Sequence, residues 1–174
     1  QVPIMLVVAL VLACILNKKD LRFKGFFRTM IFVPCTTSLV AYSIIFRSLF
    51  ANNGLVNYVL VNIGILDKPY NFLTQQFAAK MVIILGLLWR WTGYNMVFFL
   101  SGLQNIESSV YEAAKIDGAS AIQTFFKITV PVLKPTILLT AIMSTNGTLQ
   151  LFDESINLTD GGPANASISM SHYI

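Results

Sequence analysis

The sequence predicts an all-α protein, a polytopic transmembrane helix bundle that carries a helix–elbow–helix on its cytoplasmic side. Three observations predict it. Hydrophobic residues make up 55% of the 174 and charged residues only 11%, against about a quarter charged in a soluble domain. The apolar residues come in long blocks, which is how helices that cross hydrocarbon are written. Lysines and arginines crowd the ends of those blocks, and their number alternates high, low, intermediate along the successive connections, the pattern that sets topology.

Residues 2–16 are apolar apart from Pro3, short of the roughly 20 residues a span needs, and are read as a span completed by its flanks. Residues 17–28 follow, where Lys18, Lys19, Arg22, Lys24 and Arg28 outweigh Asp20. This densest basic stretch marks the cytoplasmic side. Residues 29–50 form the second span, with Pro34 as a tolerated kink and Thr36, Thr37 and Ser38 beside it to satisfy freed carbonyls. Arg47 near its end snorkels to the outer interface.

Residues 51–79 are an outer loop, with turn signals at Asn52-Asn53-Gly54 and Asp67-Lys68-Pro69 and a short surface helix expected over 55–63. Residues 80–103 are the third span. It contains Trp89-Arg90-Trp91 and Tyr94. An arginine so far from the ends costs at least ~2.5 kcal/mol in lipid, so Arg90 is expected to pair inside the bundle or to line a pathway.

An amphipathic island from 104 to 132 interrupts the spans. Two helix-start signatures stand there, Ser109 with Glu112 and Ser120 with Gln123, each with the offset of a capping box. Between them Asp117-Gly118-Ala119 supplies a position at which a helix stops. Pro131 is expected to end the second helix. The first helix, about 110–116, is too short to stand alone, since isolated helices under about 12 residues are marginal. Ala113 and Ala114 give it a low surface, flanked by Tyr111 and Ile116. It docks either into a cleft on a partner protein or onto lipid headgroups; the residues alone leave both open.

Residues 133–152 are the fourth span, polar in its second half. Asn146 and Gln150 share a face with Asp153, and Thr140, Ser144 and Thr148 form a second row. Such rows either glue helices together or line a hydrated path, and amides and hydroxyls near aromatics suit sugar hydroxyls. A turn at 159–163 leads to an outer tail, where His172 has no partner at useful spacing.

Several function classes drop out. The net charge of +4 does not form a stripe with aromatics, so nucleic acid is not expected. Cys14 and Cys35 lie in apolar blocks without metal-ligand spacing and are read as small buried hydrophobes. No phosphate-cradling G-x-x-x-x-G-K-[ST] loop, H-E-x-x-H, C-x-x-C or G-x-S-x-G occurs, so neither an enzyme nor a cofactor is expected.

Glu112-Ala113-Ala114, Gly118 and Ile128-Thr129-Val130-Pro131 resemble the EAA loop of permease subunits in binding-protein-dependent ABC importers, with Val130 in place of the family's leucine. Tyr111, the run to Ala119, Phe26-Phe27-Arg28, Trp89 to Gly93 and the 159–163 turn resemble the sugar-importing subfamily in particular; Glu107 departs from its usual proline. The resemblance implies one transmembrane domain over residues 1–174, cut from a longer chain at both ends, in the inner or plasma membrane of a bacterial or archaeal cell. It makes 104–132 a coupling loop, with Tyr111, Glu112, Ala113, Ala114, Asp117, Gly118, Ala119 and Pro131 meeting an ATP-binding cassette ATPase subunit. It also implies a second, non-identical permease subunit, an extracytoplasmic solute-binding protein and a carbohydrate solute. Arg90, Tyr94, Asn146 and Gln150 are the candidates for the solute path. The competing reading is a secondary transporter or channel without an ATPase, which would call for ionisable residues deep in the spans; Arg90 alone qualifies.

Overall fold

The computed structural model describes residues 1–18 and 21–150, and among these every regular element is a helix. Lys19, Asp20, the 151–152 end of the fourth expected span, Asp153, the 159–163 turn and His172 lie outside the described residues. The helices are α1 (Val2–Asn17), α2 (Lys24–Thr36), α3 (Leu39–Phe50), α4 (Leu55–Asn62), α5 (Gln76–Gln104), α6 (Ser108–Ile116), α7 (Ala121–Thr124) and α8 (Val130–Leu149), with a π turn over Phe125–Thr129 joining the last two. Among the described residues three helical stretches are long and apolar enough to cross a bilayer: Leu39–Asn62, Gln76–Gln104 and Ala121–Leu149. The first of these takes in α3, α4 and the turn between them, and Val2–Asn17 is a shorter apolar helix.

The chain divides into two units. One comprises residues 1–35 and 90–145, the other 36–89 and 146 onward. In the first unit the burial pattern of α1 is the reverse of a soluble helix. Its buried face is Met5, Ala9, Ala13 and Leu16, whereas Ile4, Val7, Val8, Val11 and Ile15 are exposed. Small residues inward and branched apolar residues outward is what a helix does when its outer solvent is lipid and close packing drives its association. The inward face meets Met96, Phe99, Leu100 and Leu103 of α5 and Leu133 of α8. Where α2 crosses α5, the backbones come together at Gly93: a Cβ there would collide with the Ile31 carbonyl. No side chain larger than hydrogen fits this crossing.

The sequence predicts one helix over 29–50, and the structure has two. α2 starts earlier, at Lys24, carries Pro34 buried within it and stops at Thr36; α3 starts after Ser38. Thr36, Thr37 and Ser38 explain the break better than the proline does, since hydroxyl side chains compete for backbone groups and favour helix ends.

In the second unit Tyr42, Phe46 and Val82 form the core, with Phe50 and Phe72 packed against it. The loop beyond α3 is organised by one residue. Asn57 of α4 is buried; its Nδ2 donates to the carbonyls of Ala51 (3.0 Å) and Tyr70 (2.9 Å), and its Oδ1 accepts from the Tyr70 amide (2.8 Å). The clasp closes the segment from Ala51 to Tyr70 on itself.

Gly93→Ala is expected to destabilise the folded chain by about 1–3 kcal/mol, the range for forced overpacking. Gly25→Ala, at a helical position with nothing within 4 Å, should be neutral or stabilising by up to about 1 kcal/mol through helix propensity. Thermal unfolding of the two purified variants in one detergent checks the pair; equal melting points would contradict the crossing.

Candidate functional site

The elbow between α6 and α7 is fixed at both ends by backbone geometry. α6 closes in a Schellman motif: the Ala119 amide donates to the Ala114 carbonyl (2.9 Å) and the Gly118 amide to the Lys115 carbonyl (3.2 Å). Gly118 takes φ +74, the left-handed conformation that glycine adopts without penalty. Two residues on, α7 begins with a complete capping box. The Gln123 amide donates to Ser120 Oγ (3.3 Å), and Gln123 Oε1 accepts from the Ser120 amide (2.8 Å).

Two expectations are corrected here. Ser109 does not cap α6. The helix starts two residues earlier than expected, at Ser108 behind Glu107, and Ser109 Oγ donates to Glu107 Oε2 (3.1 Å). Nor does Pro131 end the second helix, which continues from Ala121 to Leu149. The reason is the π turn: the Val130 amide reaches back five residues to the Phe125 carbonyl, and the wider turn leaves room for a proline ring that would clash with a tight one.

The residues named from the sequence divide by exposure. Glu112, Ala113, Asp117, Gly118 and Pro131 are exposed, Tyr111 and Ala119 half-buried, and Ala114 buried. The low surface that another backbone can approach is therefore that of Ala113, while Ala114 is consumed by the Schellman turn. Large apolar side chains stand in the open beside it: Ile116 is 85% exposed, Ile122 71% and Phe126 64%. Ile122 and Phe126 are missed by sequence reasoning; their four-residue spacing on one face was the available signal. Beneath α6 lies a cleft of about 650 Å³, lined among others by Cys14, Lys18, Leu103, Tyr111, Phe125 and Thr129. On its wall the Tyr111 hydroxyl meets Thr129 Oγ1 at 3.4 Å.

The polar residues of the apolar helices take different roles. In the first unit Arg90 is buried, 7% exposed, with its guanidinium 5.5 Å from the Trp91 ring centre. Tyr94, one turn on, is half-buried between the rings of Trp91 and Phe98. Asn95, unremarked in the sequence, is the residue that ties helices together. It is buried, its Nδ2 donates to the Trp91 carbonyl (3.1 Å), and its Oδ1 accepts from Ser144 of α8 (3.1 Å). Thr140, also buried, donates back to the carbonyls of Thr136 and Ile137. The Thr140–Ser144 row is thus spent inside the protein. In the second unit Asn146 and Gln150 are exposed, and Gln150 Nε2 lies 3.5 Å from Asn146 Oδ1.

Comparison with known proteins decides the family. The model of the binding-protein-dependent transport system inner membrane component matches residues 5–171. The chain belongs to this family. It is a membrane protein, and its relatives are permease subunits. The lactose transport system permease protein LacF of Rhizobium radiobacter is 57% identical across the whole of this chain, which covers 59% of that protein. The arabinooligosaccharides transport system permease protein AraP of Bacillus subtilis (strain 168) is 34% identical over 98% of this chain and 55% of its own length. The chain thus spans somewhat more than half of these relatives. Its fold matches a chain of a bacterial ABC transporter involved in the import of the acidic polysaccharide alginate, with a TM-score of 0.86 over 95% of this chain and 58% of that one at 24% identity. A bacterial alginate ABC transporter in complex with an alginate pentasaccharide-bound periplasmic protein matches with a TM-score of 0.85 at 26% identity, over 97% of this chain and 59% of that one.

The elbow yields a local prediction. Gly118→Ala is expected to cost about 1–2 kcal/mol by forcing an alanine into left-handed backbone, and Gly118→Asn less, because asparagine tolerates that region. Hydrogen exchange at the Gly118 and Ala119 amides reads it: faster in the alanine variant, near wild type in the asparagine variant.

Proposed function

We propose that this chain is the membrane-spanning permease subunit of an ATP-driven, binding-protein-dependent importer for a sugar or related solute. It sits in the inner or plasma membrane of a bacterial or archaeal cell. Its α6 docks in a cleft of a cytoplasmic ATP-binding cassette subunit, which performs the hydrolysis. The observation that carries this reading is the elbow. A nine-residue helix, too short to be stable alone, is held at a fixed angle and presents Ala113 and Ile116 outward. On α6 the exposed Val110, Ala113 and Ile116 run as one stripe beside Glu112 and Lys115; with Glu107 and Asp117 also acidic there, this surface suits a protein cleft better than an anionic lipid surface, which attracts basic segments. Family membership supports the same assignment, and the names of relatives that carry lactose and arabinooligosaccharides support a carbohydrate solute.

The remaining partners follow from this reading. A second, non-identical permease completes the path, and an extracytoplasmic solute-binding protein delivers the solute to the outer loops. ATP-driven closure of the ATPases then rocks the membrane halves between inward and outward openings, a rigid-body change. Tyr94, Asn146 and Gln150 contribute an aromatic face and amides to the solute path, and Arg90 stands as a buried cation on the same helix as Tyr94.

Two measurements test this. Glu112→Lys in the full-length chain should lower retention of the ATPase subunit on co-purification by more than about tenfold, since charge reversal in an interface costs several kcal/mol; Gly118→Trp should do the same. Wild-type retention in both would refute the docking. Alanine at Tyr94, Asn146 or Gln150 should lower solute uptake while ATPase retention stays at the wild-type level. Uptake unchanged in all three variants would remove these residues from the path.

A further inference from the structure

The coupling loop is held at the elbow and also across its open end. Tyr111 lies in the first turn of α6, and its hydroxyl reaches Thr129, 18 residues along the chain, at 3.4 Å. Thr129 is buried, 5% exposed. The elbow, α6 and the 121–129 segment therefore form a closed triangle, with the Schellman turn and the capping box at one corner and this hydrogen bond along the opposite side. A swing of α6 about Gly118 changes the length of this contact.

The bond also ends at a particular place. Thr129 is the last residue of the π turn, where the ladder passes from five-residue to four-residue reach, and Pro131 follows two residues later. Here the backbone ladder changes reach and loses a donor at Pro131. The cleft beneath α6, walled by the same two side chains, leaves space for α6 to move. At 3.4 Å the contact is long for an O–H···O bond, so a small displacement either tightens or releases it.

We propose that Thr129 is a positioning residue for coupling. Through Tyr111 it ties α6 to the π turn, so that displacement of the docked helix bends the 121–149 helix at that turn instead of rotating α6 about the elbow. The proposal rests on the docking of α6 given above and deepens it.

The test uses the full-length chain assembled with its partners in proteoliposomes and reads two quantities: ATPase retained on co-purification, and solute moved per ATP hydrolysed. Thr129→Val, which keeps the shape and removes the hydroxyl, should lower solute per ATP about two- to tenfold, the range for losing one neutral hydrogen bond. Its ATPase retention should match wild type. Thr129→Ser should restore the ratio. Tyr111→Phe should lower it as Thr129→Val does, and the double variant should fall no further, because one bond is lost only once. Wild-type solute per ATP in Thr129→Val and Tyr111→Phe, losses that multiply in the double variant, or a serine variant as impaired as valine would overturn the proposal. So would lowered ATPase retention in Thr129→Val, which would make the bond part of the docking surface. Retention in Glu112→Lys judges the docking separately, so the two failures cannot be confused.

Discussion

In hydrocarbon a peptide group has no water to turn to, so each N–H and C=O must find its partner inside the protein. That constraint shapes this chain more than any side-chain contact. Among the described residues it leaves only helices across the apolar stretches, and beyond them, where water competes, the helix ends still close their own hydrogen bonds. At Gly118 the last carbonyls of α6 are taken by the Schellman amides. At Ser120 the first amides of the next helix are taken by the capping box. Around Pro131 the ladder widens into a π turn and the helix goes on. Across the 51–70 segment the side chain of Asn57, on α4, satisfies two carbonyls and an amide at once.

The same constraint explains which parts of the structure could be read in advance. The apolar blocks, Gly118 and the Ser120–Gln123 box were legible because each is a local rule with one solution: only glycine takes φ +74 freely, and a hydroxyl three residues before a glutamine closes on itself. Ser109 misled because Ser108 and Ser109 stand in tandem and the helix takes the longer option, starting after Glu107. Pro131 misled because the rule that proline ends a helix assumes an α-helical turn before it; a π turn removes the clash on which the rule rests. The break at 37–38 was hidden because the apolar pattern runs straight across it, and only the hydroxyl run marks it.

The candidate site was legible in outline and less so in detail. The elbow could be named residue by residue, but sequence alone cannot say which of two adjacent alanines faces out, since that depends on which face of α6 packs against the protein; Ala114 is buried and Ala113 exposed. The polar row on α8 shows the same limit. Thr140 and Ser144 look identical in kind to Asn146 and Gln150, yet Ser144 is committed to Asn95 and Thr140 to its own backbone. A hydroxyl can disappear into a helix interface by bonding a carbonyl a turn away, whereas a longer amide has more groups to satisfy and needs a polar neighbour. Asn95 is such an amide, and Ser144 is the neighbour from which its Oδ1 accepts.

The elbow's rigidity and the softness just beyond it belong together. A loop that only had to present a docking face could be held by side chains alone and would need no widened turn in the helix behind it. A loop that had to pass a displacement onward needs the reverse arrangement: stiff where it receives the load, compliant where it delivers it. Here the corner is made of backbone hydrogen bonds, which do not yield to small displacements, and the compliant point is a π turn next to a residue that cannot donate. Tyr111 and Thr129 connect the two. On the proposed reading, a π turn at the far end of that connection is where a displacement of the short helix would pass into the 121–149 helix.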